Sequence, residues 1–297
     1  MSTNRDFSGL SVALATPFTP AGDIDFKAFR ALVRHVASGG ADVLVVLGST
    51  GEAATILEAE RDPLITACLE EAGGKKVVAG TGHNSTSQTV TWTKRAQELG
   101  AHGALIVTPF YNKPTPQGLV AHFRAAADAA PGLPFIVYNV PGRTGLNLTP
   151  AALQLLWANP QVVAVKESSG NVAQISEVSR GLPEGKTLLS GDDNLALASI
   201  AVGASGLVSV LGNLAPAETK QLVDAARSGR RDEAVALNNR LLPLIDALFV
   251  ESNPIPLKAG LAMLGLGGDH VRLPLTPATE ATRARLKEAL VAAGIGR

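Results

Sequence analysis

Val162-Val163-Ala164-Val165-Lys166-Glu167-Ser168-Ser169-Gly170 is the stretch on which the reading of the whole chain turns. Four apolar residues end in a lysine, and small polar residues follow. The run is too short to span a membrane and has the unbroken hydrophobicity of a buried parallel strand. A lysine at its exit stands where a core meets a cleft. Burial of an amine there favours its neutral, nucleophilic form. The plainer alternative is a lysine that merely marks the solvent end of the strand.

Seven further runs share this character: 11–15, 42–47, 76–79, 103–107, 134–138, 187–190 and 206–210. Segments with helical spacing lie between them. In 26–36 apolar residues recur every three or four positions, and 86–99, 115–130 and 149–157 behave alike. Thr149-Pro150 places a capping residue before a proline at the first helical position. Strand-to-strand spacing of about 25 to 35 residues suits βαβ units. Eight in series predict an α/β fold, a (β/α)8 TIM barrel, with a doubly wound open sheet as the alternative. The barrel core is expected over 1–214. Residues 215–297 would hold the last barrel helix and a C-terminal helical extension packed on the barrel, with helices over 231–250, 256–264 and 276–293, the last opening at Thr276-Pro277.

The chain has 297 residues, and its 26 basic and 26 acidic side chains cancel, which argues against a broad nucleic-acid footprint. One cysteine, Cys68, excludes an intrachain disulfide and reads as packing within a helix. The polar stretch 1–9 lacks an apolar signal core, and no run approaches 18 apolar residues; a cytoplasmic protein without a membrane span is expected. The five histidines show no metal-ligand spacing, and Asp192-Asp193 reads as a helix cap rather than a cation site. No catalytic metal is expected.

In a barrel of this kind the chemistry sits where strands run out into loops. The unusual residues gather there: Gly48-Ser49-Thr50-Gly51-Glu52, Thr108-Pro-Phe-Tyr111-Asn112, Tyr138-Asn-Val-Pro-Gly-Arg143-Thr-Gly145, Lys166 and Gly191-Asp192-Asp193. Because strand side chains alternate, Ile136 with Tyr138 and Ala164 with Lys166 share faces. If both faces point inward, phenol and amine meet at the barrel mouth. That pair suits imine chemistry, in which the amine attacks a ketone and the phenol shuttles protons. The Gly48–Gly51 loop can turn backbone N–H groups toward a carboxylate or phosphate. It is not a P-loop, and Gly80-Thr-Gly82 is not a dinucleotide fingerprint. Arg143 could clamp a carboxylate in bidentate fashion or simply be exposed.

Together these motifs resemble the dihydrodipicolinate synthase / N-acetylneuraminate lyase group of pyruvate-dependent class I aldolases. The resemblance runs from Val12-Ala-Leu-Ala-Thr-Pro-Phe18 to Asn253-Pro-Ile-Pro-Leu-Lys258 and the tail. It implies that Lys166 forms a Schiff base with pyruvate and that Tyr138, Thr50 and Tyr111 relay protons, with Tyr111 reaching into a neighbouring subunit of a dimer or a dimer of dimers (a homotetramer). It also implies that Ser49 and Thr50 hold the pyruvate carboxylate and that Gly191 and Val208 line the pocket. Ser49 is the form usual in sialic acid lyases, whereas Arg143 in Pro-Gly-Arg-Thr-Gly is a synthase feature that binds the carboxylate of aspartate semialdehyde. The guanidinium weighs more, since leaving it buried and unpaired would be costly.

The resemblance therefore implies condensation of pyruvate with L-aspartate 4-semialdehyde to 4-hydroxy-tetrahydrodipicolinate, on the way to diaminopimelate and lysine, with no metal or organic cofactor. Alternatives are an aldolase or dehydratase acting on N-acetylneuraminate, a keto-deoxy sugar acid or a hydroxyproline-derived acid, and a non-catalytic binding barrel. Asn84 matches a lysine-binding position of feedback-inhibited members. Glu58, Arg61, Gln88 and Phe110 replace the His, His, Glu and Tyr found there, which implies weak or absent inhibition by lysine.

Overall fold

A computed structural model describes residues 6–296. Eight parallel strands close into a barrel in sequence order, so the open-sheet alternative falls. They are β1 (Gly9–Ala13), β2 (Val43–Val46), β3 (Lys76–Gly80), β4 (Gly103–Val107), β5 (Phe135–Asn139), β6 (Val162–Glu167), β7 (Thr187–Ser190) and β8 (Gly206–Ser209). The first begins two residues before the apolar run, because Gly9 takes a positive φ of 90° and pairs with Gly206. Closure rests on that contact. A Cβ on Gly206 would lie 2.1 Å from the carbonyl oxygen of Gly9, so only glycine lets β1 and β8 approach.

Alternation sorts the strand residues as expected. Ala13, Val43, Val45, Val78, Leu105, Ile136, Tyr138, Ala164, Leu189 and Val208 pack together inside the barrel. Val137, Val165 and Leu188 face out, against the surrounding helices. A filled interior leaves only the mouth open to chemistry.

The helices are α1 (Phe26–Ser38), α2 (Glu58–Glu71), α3 (Thr86–Glu98), α4 (Pro116–Ala129), α5 (Pro141–Thr144), α6 (Pro150–Leu156), α7 (Val172–Arg180), α8 (Ala196–Ala201), α9 (Pro216–Arg227), α10 (Arg231–Ala247), α11 (Ile255–Met263) and α12 (Glu280–Ala293). Thr149 caps α6 as its sequence suggests, accepting from the Ala152 N–H. The last helix differs from expectation. It starts at Glu280 and is capped by Thr279, not Thr276. The Glu251 carboxylate accepts from both the backbone and the hydroxyl of Thr279, at 3.0 and 2.9 Å, and fixes the start there. The tail shares one continuous core with the barrel, in which Leu10, Leu44, Leu257 and Leu286 all take part. Among the described residues no helix is long and apolar enough to cross a membrane.

Candidate active site

Lys166 and Tyr138 end neighbouring strands and are register partners across β5 and β6. Both are buried, and the Lys166 Nζ lies 4.1 Å from the centre of the Tyr138 ring. The ring quadrupole attracts an ammonium over its face, and a neutral amine keeps the weaker dispersion contact there. The Lys166 amine makes no hydrogen bond or salt bridge among the described residues. On the opposite strand faces Asn139 and Glu167 tie the same two exits together. The Asn139 amide donates to Glu167 at 3.0 Å and to Asn147 at 2.9 Å, and Glu167 accepts from the Ser169 N–H at 2.7 Å. This buried lattice fixes where the loops leave, and so fixes the lysine and tyrosine that precede them. Sequence reading passed over Asn139 and Glu167, although Glu167 had a signal: a carboxylate one residue beyond a buried run needs a partner.

Gly191, after β7, is the lysine's other neighbour. A Cβ there would sit 2.7 Å from the Lys166 Cε and 1.8 Å from the Ser168 Oγ. The Lys166 stem thus runs where a side chain at 191 would be. Asp192 follows, and burial pushes its carboxyl up to about 6, opposed by the charge of Lys166. Asp193 does not cap the helix after it. It reaches to the β8 exit, accepting from the Ser209 hydroxyl and from the Val210 N–H at 2.8 Å. Burial raises its carboxyl too. Val208 is fully buried in the inner layer.

The loop after β2 folds into a 3-10 turn, Ser49–Gly51, which is closed by Glu52 in the left-handed region at φ 54°. The N–H groups of Gly51, Glu52 and Ala53 are used inside the turn. Those of Ser49 and Thr50 have no acceptor among the described residues, which suits an anion. The Thr50 hydroxyl is buried and accepts from the Asn253 Nδ2 at 3.0 Å. The Ser49 hydroxyl, half-buried, makes no hydrogen bond among the described residues. Arg143 lies on the single-turn helix α5 rather than in an irregular turn. It is exposed at the mouth, and its Nη2 donates to the Asn253 carbonyl at 3.0 Å. Asn253 therefore touches two predicted binding groups. Sequence reading took it only as part of a motif, and nothing periodic links it to a loop 203 positions away.

Tyr111 is placed apart from the others. It is 88% exposed at φ 72°, with its N–H bonded to the Thr144 carbonyl at 3.1 Å. No hydrogen bond joins it to Tyr138 or Thr50 among the described residues. Behind the Ser49–Gly51 turn lies a buried ion pair that sequence reading missed. Lys258 of α11 meets Glu52, donates to the His270 carbonyl at 2.8 Å and stands 3.8 Å from the centre of the Phe18 ring. Elsewhere, a surface groove of about 500 Å³ between α1, α2 and α3 carries arginines already paired with acids, Arg30 with Glu70 and Arg95 with Asp62. Burial raises the Cys68 thiol well above its ordinary range, so it is inert packing. Among the described residues no group of three His, Cys, Asp or Glu could hold a metal ion.

Residues 6–293 match the family model described as the dihydrodipicolinate synthetase family. The chain belongs to that family. Within it, the 4-hydroxy-tetrahydrodipicolinate synthase of Maridesulfovibrio salexigens is 45% identical, the match covering 97% of this chain and 99% of the relative. The chloride-inhibited dihydrodipicolinate synthase of Acinetobacter baumannii, solved with pyruvate, superposes at a TM-score of 0.95 with 39% identity, over 98% of this chain and all of that one. The enzyme of Cyanidioschyzon merolae, solved with lysine bound, gives 0.94 with 40% identity, over 97% and 98%.

Proposed function

We propose that the chain is a 4-hydroxy-tetrahydrodipicolinate synthase that joins pyruvate to L-aspartate 4-semialdehyde through an imine on Lys166. Membership of the dihydrodipicolinate synthetase family and near full-length relatives named for this reaction support the activity. The observation that carries the mechanism is a buried, uncommitted amine 4.1 Å from a tyrosine ring at a barrel mouth. The amine adds to the pyruvate ketone, and loss of water leaves the imine. The imine takes up the electron pair released when a methyl proton departs, giving an enamine. The enamine carbon attacks the aldehyde, whose oxygen gains a proton, and the imine re-forms. The amino group of the second substrate then adds to the imine carbon and closes the ring, and Lys166 leaves as the free amine. The imine is itself the electron sink, so the reaction calls for no organic cofactor or metal.

Tyr138 lies close enough to serve the proton transfers at Lys166. Ser49 and Thr50, with their open N–H groups, hold the pyruvate carboxylate. Thr50 is also the hydroxyl of the proton relay, with Ser49 the freer of the two. Gly191 and Val208 shape the pocket. Arg143, at the rim, receives the carboxylate of the second substrate. Tyr111 completes the relay from a second copy, since it turns away from its own barrel. Leu57 and Leu273, exposed at 66% and 80%, offer apolar surface for such a contact. A homotetramer, built as a dimer of dimers, is the proposed assembly, measured by sedimentation.

The deciding experiment is borohydride reduction with pyruvate, followed by peptide mapping. Label on any lysine other than Lys166 would sink the mechanism. A coupled assay offering aspartate semialdehyde, N-acetylneuraminate and keto-deoxy sugar acids ranks the acceptors, and a preference for a sugar acid would reassign Arg143. Arg61, whose guanidinium lies 3.6 Å over the Trp92 ring, keeps a cation close to Glu58. Burial lowers its pKa to about 10, so it stays charged at neutral pH and opposes lysine binding. Half-inhibition by lysine below about 1 mM would contradict this.

A further inference from the structure

We infer that Asn253 is a positioning residue that sets the polarity of the Thr50 hydroxyl, so that a residue of the C-terminal extension prepares the carboxylate site on the other side of the barrel mouth. This rests on the reading that Thr50 receives the pyruvate carboxylate. The carboxamide Nδ2 donates to the Thr50 Oγ1 at 3.0 Å in a buried setting. A hydroxyl that accepts in this way keeps its own proton, and that proton must point away from the donor. Next to the open N–H groups of Ser49 and Thr50, it becomes a third donor for an anion. In the resting site, before any proton moves along the relay, a hydroxyl committed to a neighbouring acceptor would turn lone pairs toward the carboxylate and repel it.

Two further observations fit this role. The Asn253 Oδ1 is buried without a partner. An orphaned acceptor costs stability, so packing alone would favour an apolar residue here. The Asn253 carbonyl accepts from the Arg143 Nη2 at 3.0 Å. That link uses the main chain and survives any side-chain change. The two anchors can therefore be separated by experiment.

The test uses the full-length enzyme carrying N253D, N253A, T50V, T50V/N253A and R143A. N253D keeps the shape but replaces the donor with an acceptor, and N253A removes it. The expected result is a pyruvate KM raised about 10- to 100-fold in N253D and less in N253A, with the KM for aspartate semialdehyde within about 3-fold of wild type. R143A should show the reverse split. In the T50V background, N253A should add less than about 2-fold, because it acts through the missing hydroxyl. Equal rises in both KM values, an unchanged pyruvate KM, or an N253A effect that multiplies in full with T50V would overturn the inference. Failure of both Asn253 variants to fold by circular dichroism would also overturn it, by making the residue structural. Labelling of Lys166 in the wild type is the control. Its failure defeats the site reading itself, whereas a wrong pattern among the variants defeats only this inference.

Discussion

Lys166 and Lys258 are both buried, and each holds its amine about 4 Å from an aromatic ring, Tyr138 for one and Phe18 for the other. Their surroundings differ in one respect that decides their chemistry. Lys258 is spent: its amine pairs with Glu52 and donates to the His270 carbonyl, and no part of it reaches solvent. Burial lowers its amine to about 8 even against the pull of Glu52. Lys166 is unspent, with a tyrosine beside it and glycine at 191 to let its stem pass. A search for the most perturbed lysine would have chosen Lys258. Perturbation marks burial, and reactivity needs in addition an amine that no acceptor already holds.

The strongest way to break the contrast is to exchange the two losses. K166M should lower turnover by about 10³-fold or more and abolish borohydride labelling. K258M should still be labelled at Lys166 in whatever fraction remains folded. Label appearing elsewhere in K166M would erase the distinction.

The next effect concerns stability. Removing one partner of a buried pair strands a charge, so K258M should lose about 3–5 kcal/mol in urea unfolding, and E52Q/K258M should regain much of it. If K258M proved as stable as wild type, the pair would have no structural role.

G191A sharpens the other side of the comparison. The added Cβ displaces the Lys166 Cε, and a shift of that size should lower kcat about 10²-fold while the far-ultraviolet spectrum stays native. Retained activity would mean that the stem has room to spare.

The smallest effect separates the two carboxylates. Glu52 grips its lysine, whereas Asp192 only feels the charge of Lys166. With its carboxyl near 6 in the native state and an ordinary value of 3.8, Asp192 binds a proton on folding between those limits. Stability should therefore fall as pH rises from about 4 to 6 and stay lower above. D192N should remove about 1–2 kcal/mol of that fall, once partial exposure is allowed for. A D192N unfolding profile that tracked wild type across this window would show that the residue is not held protonated.

The barrel was legible because fully buried parallel strands read as short, largely apolar runs, and 103–107 and 187–190 match their strands end to end. Ends that depend on a neighbour were not. β1 begins at a left-handed glycine chosen by β8, and α12 begins where Glu251 holds Thr279. At the site, Lys166 and Tyr138 were legible because strand alternation and adjacent order place them together. Asn253, Glu52 and Lys258 were not paired in advance. Polar groups that meet across the barrel mouth carry no period, and each alone reads as a surface residue.

Asn253 and Lys258 have a consequence for how the protein is made. Both supports of the Ser49–Gly51 turn come from the far end of the chain, after the eighth strand. During synthesis, with domains forming as the chain emerges, all eight strands can leave the ribosome before the turn has its clamp. A chain cut short after β8 would keep Lys166 and every strand of its barrel yet lack both contacts to the Ser49–Gly51 turn. The last portion of the chain thus supplies both contacts that steady a turn laid down near its beginning.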